Sequence, residues 1–286
     1  AAQGRAGCTQ AGTFCDTVTE IPCWECRALT ALYEGTGGAG WLHSAGWLSS
    51  PHPSDWHGVT VSGGHVTALA LPGNGLQGPI PPEIGALAYL QTLDLGGNRL
   101  HGPLPAELGE LQQLHLLDLG ANALGGDVPP ALTRLTALDP GGLDLGYNML
   151  SASAPAVAAF LDAHDPDWAQ TQTVPPTDVH IIGATESTVT VGWTPIAYTG
   201  DGGYYEVSYA LSGQPWIVAG HTADKTATSY TVTDLPAGQT FYFTVRSYTP
   251  AHGEQPSNLY SAYSPWPPAV PGPPTPTATA TPTAPS

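Results

Sequence analysis

The chain has 286 residues, long enough for two ordinary domains that each bury a core. It carries 23 acidic against 6 basic residues, a formal charge of −17, so no basic patch can be assembled for nucleic acid or an anionic membrane. No run of about 18 apolar residues occurs, which excludes a membrane-spanning helix, and a chain starting at Ala1 without a leader is what a processed secreted protein would show.

Four cysteines come first: Cys8, Cys15, Cys23 and Cys26. An even count in one short segment of a chain with secreted character implies two disulfides. Of the three pairings, Cys15 with Cys26 and Cys8 with Cys23 is the favoured one. Zinc binding is disfavoured by the Cys-x6-Cys spacing. A redox role for Cys23-Trp24-Glu25-Cys26 lacks the surrounding βαβ pattern. Leu29, Leu32 and Tyr33 stand at helical spacing, and the glycines from Gly35 to Gly40 end that helix. Trp41, Trp47 and Trp56 follow. They are expected to cover the open end of the next element, in preference to forming a sugar-stacking platform. Residues 1–65 are read as a disulfide-containing N-terminal cap.

From residue 66 the sequence repeats itself at 24-residue intervals. Val66 to Asn74, Leu90 to Asn98 and Leu114 to Asn122 share one pattern, in which leucines alternate before a turn asparagine. A unit of this size cannot bury its apolar face alone, so neighbours must stack into a solenoid. Period-two alternation points the leucines inward from a short parallel strand. Asn74, Asn98, Asn122 and Asn148 follow the strands, where a buried amide can satisfy turn backbone; they are read as a structural ladder. Asp139-Pro140-Gly141-Gly142 lengthens the last repeat by two residues. Pro155 to Asp162 reads as a closing helix with Pro in its first turn. The His164, Asp165 and Asp167 cluster beyond it reads as a polar helix stop in preference to a metal site. The repeats and closing helix span 66–168, with 169–174 as a linker.

The returns Leu76-Gln77-Gly78-Pro79-Ile80-Pro81 and Leu100-His101-Gly102-Pro103-Leu104-Pro105 complete a pattern that resembles the plant-type leucine-rich repeat, also found in bacterial surface proteins. Gly46-Trp47 and Trp56-His57-Gly58-Val59-Thr60 are similar to that family's N-terminal cap. The family flanks this element with a cysteine pair; Ser54 and Val61 stand in those places, so the resemblance implies a cap held by packing and by the upstream cysteines.

Residues 175–268 change period. Val189, Val191 and Trp193 alternate, as do Tyr205, Val207 and Tyr209, and Phe241, Phe243 and Val245. Gly200-Asp201-Gly202-Gly203 and Pro236-Ala237-Gly238 separate the runs, which indicates an antiparallel sandwich. Pro175-Pro176 at entry, Trp193 in an early strand and the stretch from Leu235 to Phe241 resemble a fibronectin type III domain. Phe241 stands where that family usually carries a tyrosine, which gives up the corner hydroxyl bond unless Tyr242 supplies it. No Arg-Gly-Asp tripeptide supports integrin-type adhesion.

Residues 269–286 form a Pro/Thr/Ala-rich tail with no apolar content for a core. Its composition favours an extended polyproline conformation reaching about 55 Å. Thr275, Thr277, Thr279, Thr281 and Thr283 are closely spaced candidate O-glycan acceptors, and no Asn-x-Ser/Thr sequon occurs.

The fold class expected is therefore an α/β leucine-rich-repeat solenoid plus an all-β fibronectin III-like sandwich with an extended tail. No nucleophile elbow, zinc helix, phosphate loop or calcium loop is present, so a non-enzymatic protein without cofactors or metal is expected. The open face of the repeats carries Asp94, Asp118 and Asp144 in one column, with Leu116 and Tyr147 as its candidate contacts. Affinity concentrates in aromatic and Arg residues, which this face largely lacks. The expected function is an extracellular structural or adhesive surface protein. Its partners would be other proteins, including copies of itself as a filament or surface-layer subunit, with glycans on the tail. A recognition module for a polypeptide or polysaccharide, or the non-catalytic part of a larger secreted enzyme, are the alternatives.

Overall fold

The structure is a computed structural model and describes residues 14–272. Two units are distinguished: residues up to 174 together with 249–259, and residues 175–248 together with 260 onward.

The first unit opens with helix α1 (Cys23–Gly35), whose buried face is Cys26, Ala28, Leu29 and Leu32. Trp41, Trp47 and Trp56 are buried around it, with Tyr33 stacked 5.8 Å from Trp47 and Trp41 edge-on to Trp47 at 4.9 Å. The tryptophans are cap core, each of them too enclosed to present a face to a sugar. Strands β1 (Val59–Ser62) and β2 (His65–Ala70) pair antiparallel, so the cap covers the first repeat with a hairpin. Ser54 holds its place by hydrogen bonding: its N–H and hydroxyl donate to the Glu20 carboxylate at 3.1 and 3.0 Å. Glu25, fully buried on α1, accepts the Val66 N–H at 2.8 Å and so satisfies a buried backbone donor at the start of β2.

The returns between repeats form a second sheet that the sequence pattern read as plain connections. In chain order the strands are β3 (Gln77–Gly78), β4 (Thr92–Asp94), β5 (Arg99–Gly102), β6 (Leu116–Asp118), β7 (Ala123–Asp127), β8 (Leu143–Asp144) and β9 (Met149–Ser151). One sheet runs β1-β2-β4-β6-β8 and the other β3-β5-β7-β9. Parallel register places Leu69, Leu93, Leu117 and Leu143 in one row, and Ala70, Asp94, Asp118 and Asp144 in the next. Leu93, Leu117 and Leu145 lie in one shared interior with no exposure. Each buried leucine contributes roughly 1.5–3 kcal/mol by leaving water.

The asparagines close the coils. Asn122 Oδ1 accepts the Leu100 N–H at 2.9 Å, while its Nδ2 donates to the carbonyls of Leu95, Leu119 and Gly120. Asn98 and Asn148 repeat the arrangement, and Asn74 turns its amide to both backbone groups of His43 in the cap. The far end closes with helix α2 (Pro155–His164) and the turn after it. Residues 169–174, read from sequence as the linker, carry the closing side chains: Gln172 and Thr173 are buried. Asp165 Oδ2 accepts the Leu145 N–H at 2.9 Å, Thr171 Oγ1 accepts the Tyr147 N–H at 3.0 Å, and Gln172 Oε1 accepts the Leu150 N–H at 2.9 Å. Those three N–H groups would otherwise await a further coil.

The second unit has two antiparallel sheets. The first runs β10 (Thr177–Ala184), β11 (Val189–Thr194), β14 (Ser229–Val232). The second runs β13 (Ile217–His221), β12 (Tyr204–Leu211), β15 (Phe241–Thr249), β16 (Leu259–Tyr260), with β17 (Pro268–Ala269) also on β15. Val189, Val191, Trp193, Tyr205, Val207 and Phe243 are buried between them. The hydroxyl bond that Phe241 cannot make has a counterpart elsewhere, because Tyr205 accepts the Ile196 N–H at 2.8 Å.

Candidate functional site

Two surfaces carry the candidate contacts. The open face of the repeats is a row of aspartates laid over glycines. Asp94, Asp118 and Asp144 each accept, through one carboxylate oxygen, the N–H two residues on, at 3.1, 2.9 and 2.8 Å. A Cβ at Gly96 would stand 2.6 Å from Asp118 Oδ1, and one at Gly120 would stand 2.7 Å from Asp144 Oδ1. The glycine column therefore makes room for the next coil's carboxylate. Burial pushes the carboxyl of Asp94 up, and that of Asp118 up to about 6, with Asp144, Asp94 and Asp165 adding repulsion at Asp118.

Leu116 stands exposed on this face. Tyr147 is engaged within its own unit: its hydroxyl donates to the Glu254 carboxylate and its ring meets His252 edge-on at 5.8 Å. Gln255, also buried, donates to the carbonyls of Asn122 and Tyr147. His164, Asp165 and Asp167 serve the helix end. Asp165 holds Leu145, and the Asp167 carboxylate accepts the Gln170 amide at 3.1 Å.

The bridge Cys15–Cys26 ties the first turn of the described chain to α1, and Cys23 is bridged as well. Cys8 and the tail threonines Thr275, Thr277, Thr279, Thr281 and Thr283 lie outside the described residues.

Pattern reading of the sequence missed the second surface, the outer face of the sandwich's second sheet. More than half of the large apolar side chains exposed among the described residues belong to this sheet and its edges. Residues 260–267 lie along β15 with a period of three. Ser261 and Ser264 donate their N–H groups to Ser247 and Val245 at 3.0 and 2.9 Å, and Pro267 accepts from Phe243 at 3.2 Å. The residues one step earlier, Tyr260, Tyr263 and Trp266, stand out at 41%, 44% and 60% exposure. The Arg246 guanidinium lies over the Tyr260 and Tyr263 rings, 4.3 and 4.7 Å from their centroids, and its Nε is held by Glu206 at 2.8 Å. Tyr204, Tyr248 and Tyr260 stack at 4.6 and 4.7 Å, and Trp216 reaches to 6.2 Å from Trp266. The Tyr260 hydroxyl beside Tyr204 raises the Tyr204 phenol to about 12. The signal was present in the sequence as Tyr-x-x-Tyr-x-x-Trp, a spacing that tests for helices and strands pass over.

Two family profiles match the chain. The Fibronectin type III domain covers residues 174–262, and the Leucine Rich Repeat covers residues 89–111. With the strand registers above, they settle the architecture. The first unit has the fold of a leucine-rich-repeat solenoid, and the second is a fibronectin III-like sandwich. Among solved structures, the leucine-rich-repeat ectodomain of the receptor kinase SOBIR1 from Arabidopsis thaliana is 28% identical, over 46% of this chain and 70% of that one, with a TM-score of 0.37. A plant ice-binding protein is 29% identical over 46% of this chain and 43% of its own, with a TM-score of 0.42. Domains A168–A170 of titin are 20% identical over 35% of this chain and 32% of their own, with a TM-score of 0.27. The chain thus spans under half of the latter two. Both domain types are generally non-catalytic, and the pair suggests a protein-interaction module. No helix among the described residues is long and apolar enough to cross a membrane.

Proposed function

We propose that this is an extracellular, non-enzymatic surface protein with a structural or adhesive role, acting through protein–protein contacts that include contacts with its own copies. The observation that carries the reading is the pre-stacked aromatic face of the sandwich, because exposed Trp, Tyr and Arg held in fixed geometry are what interfaces use for affinity. The bridged cap supports an oxidising compartment. O-glycans on Thr275 to Thr283 belong to the same reading. The engagement of Tyr147 with Glu254 and His252 weighs against the alternative of a polypeptide or polysaccharide on the open face.

Sedimentation velocity over a concentration series of the full chain tests the reading. Association that grows with concentration is expected, with polymers or ordered arrays visible by electron microscopy. A chain that stays monomeric at every concentration, while binding a polypeptide or oligosaccharide on the aspartate face, would replace it with recognition.

A further inference from the structure

We propose that Lys225 and Asp201 become joined in the folded protein by an amide bond between Nζ and Cγ, formed by the chain itself with loss of one water. The proposal concerns the second unit alone and does not depend on how copies meet.

The fold brings the two side chains together and seals them. Asp201 lies in the turn between β11 and β12, and Lys225, the chain's one lysine, in the turn between β13 and β14. Lysine and aspartate are almost never fully buried unless paired. Here both side chains have no exposure, and Nζ touches Asp201 Oδ2 at 2.5 Å. The Tyr198 ring covers Nζ at 4.5 Å. Gly203 makes the approach possible, because a Cβ there would stand 3.0 Å from both Asp201 Oδ1 and Lys225 Cε. Both turns are pinned. The Tyr205 N–H donates to Thr222 Oγ1 at 2.9 Å, and the Thr222 N–H returns a bond to the Tyr205 carbonyl at 3.0 Å. The Thr226 N–H and hydroxyl hold the Asp224 carboxylate at 2.8 and 2.6 Å.

A salt bridge in this setting is the reactant state of a condensation. Moving one proton from Nζ to Oδ2 leaves a neutral amine facing a neutral acid. An enclosed site favours that transfer because it removes two buried charges. Burial already pulls the Lys225 pKa down, against the opposing pull of Asp201. The Nζ lone pair then forms the bond to Cγ, and the carbonyl electron pair moves onto Oδ1. The Gly203 N–H already donates to Oδ1 at 2.9 Å, which is the donor a developing oxyanion needs. A second proton passes from the nitrogen to Oδ2, the Cγ–Oδ2 bond breaks, and Oδ2 leaves as water while Oδ1 returns to a carbonyl. An ammonium and a carboxylate have become one secondary amide and one water. No oxidant, reductant or co-reactant is consumed. Two groups fixed in contact react as parts of one molecule, so proximity supplies much of what activation would otherwise provide.

The bond would close residues 201–225 into a covalent ring that contains β12 and β13. An ion pair dissolves once its site fills with water, whereas an amide persists in denaturant. The ring therefore keeps this hairpin closed after the two sheets part, and it restricts the unfolded chain as a cross-link does.

The test is the intact mass of the full chain, reduced and fully denatured after the folded protein has stood at pH 7. A mass below that of the sequence by one water is expected. Lys225→Arg keeps the cation but cannot form the bond, and it should show the full mass. Because the sequence holds a single lysine, an amine-acylating reagent should add one group to the denatured wild type, at the α-amine. A chain with a free Lys225 takes two. Fragmentation of a protease digest should return a branched peptide joined at Asp201 and Lys225. Full mass with both amines acylated overturns the proposal and leaves the salt bridge as the final state. Loss of water with Lys225 still acylated assigns that loss to a succinimide at Asp201-Gly202, and overturns it as well. The wild-type measurement is decisive whether or not the variant folds.

Discussion

Gln172 stands to Leu150 as Asn148 stands to Leu124: a buried side-chain oxygen accepts the leucine N–H, at 2.9 and 3.0 Å respectively. Its Nε2 donates back to the carbonyls of Leu145 and Trp168 at 2.8 Å. Of the three side chains that close the last coil, Gln172 therefore imitates the asparagine of a further repeat. Gln172→Ala removes the acceptor of the Leu150 N–H, while the Leu145 carbonyl keeps the Asn148 amide. We expect the first unit to lose about 1–3 kcal/mol in urea denaturation. Hydrogen exchange at the Leu150 amide should accelerate well before global unfolding. Unchanged exchange there would show that the closing turn is not held by Gln172.

Asn122→Asp separates the two roles of the ladder amide. The acceptor towards Leu100 is kept, but the three carbonyls of Leu95, Leu119 and Gly120 now face an oxygen. The carboxylate meets those carbonyls in a dry interior, at an expected cost of about 3 kcal/mol or more at neutral pH. The sign of the pH dependence is fixed by the same geometry. Only the protonated acid can donate, so the folded pKa lies above the unfolded one, and the variant should regain stability as pH falls. Equal destabilisation at pH 4 and pH 7 would contradict this account.

The fold was readable because its two periods are local. Leu93 and Leu117 lie 24 residues apart, and the same spacing recurs in the register of their strands, so the first sheet could be written from the sequence. The sandwich followed from alternation at Val189, Val191 and Trp193. The second sheet of the solenoid was harder to see. Strands such as Gln77–Gly78 are two residues long and leave no alternation to detect. Gln172 was hidden because it performs an asparagine's role 24 residues on with a different residue type. Tyr260, Tyr263 and Trp266 were hidden because period three belongs neither to helix nor to strand. Ser54 was read as a missing cysteine, and its bond to Glu20 spans 34 residues that no local pattern connects.

Asp118 makes the first unit sensitive to mild acid in a definite direction. Its carboxyl ionises near 3.8 in an unfolded chain and about 6 in the folded one, mainly through burial. Below the lower value both states are neutral and the residue contributes no difference. As pH rises from about 4 to 6 the unfolded chain sheds its proton first, so folded stability falls over that window. Asp118→Asn keeps an oxygen for the Gly120 N–H and removes the ionisation. The variant should melt above wild type at pH 7 and converge with it below pH 4, by differential scanning calorimetry. A wild-type chain whose first transition is level across that window would refute the assignment.

The second unit contains a buried ion pair that gives a sharper mutational signature. Lys225 Nζ meets Asp201 Oδ2 at 2.5 Å with both side chains fully enclosed, and the Tyr198 ring lies 4.5 Å from the ammonium. Burial pulls the Lys225 pKa down, and Asp201 opposes that pull. Two charges removed from water are held close together, so removing either one takes away the other's counter-charge. Lys225→Met leaves the Asp201 carboxylate without its cation and should cost about 3–5 kcal/mol. Asp201→Leu should cost a similar amount, since it leaves the ammonium enclosed, and it also removes the acceptor of the Gly203 N–H. The double variant should recover much of the loss, because two apolar side chains of similar volume need no solvation. A double-mutant cycle by urea denaturation gives the coupling directly. If the two losses simply add, the pair is not coupled and these two turns of the sandwich are held by other contacts.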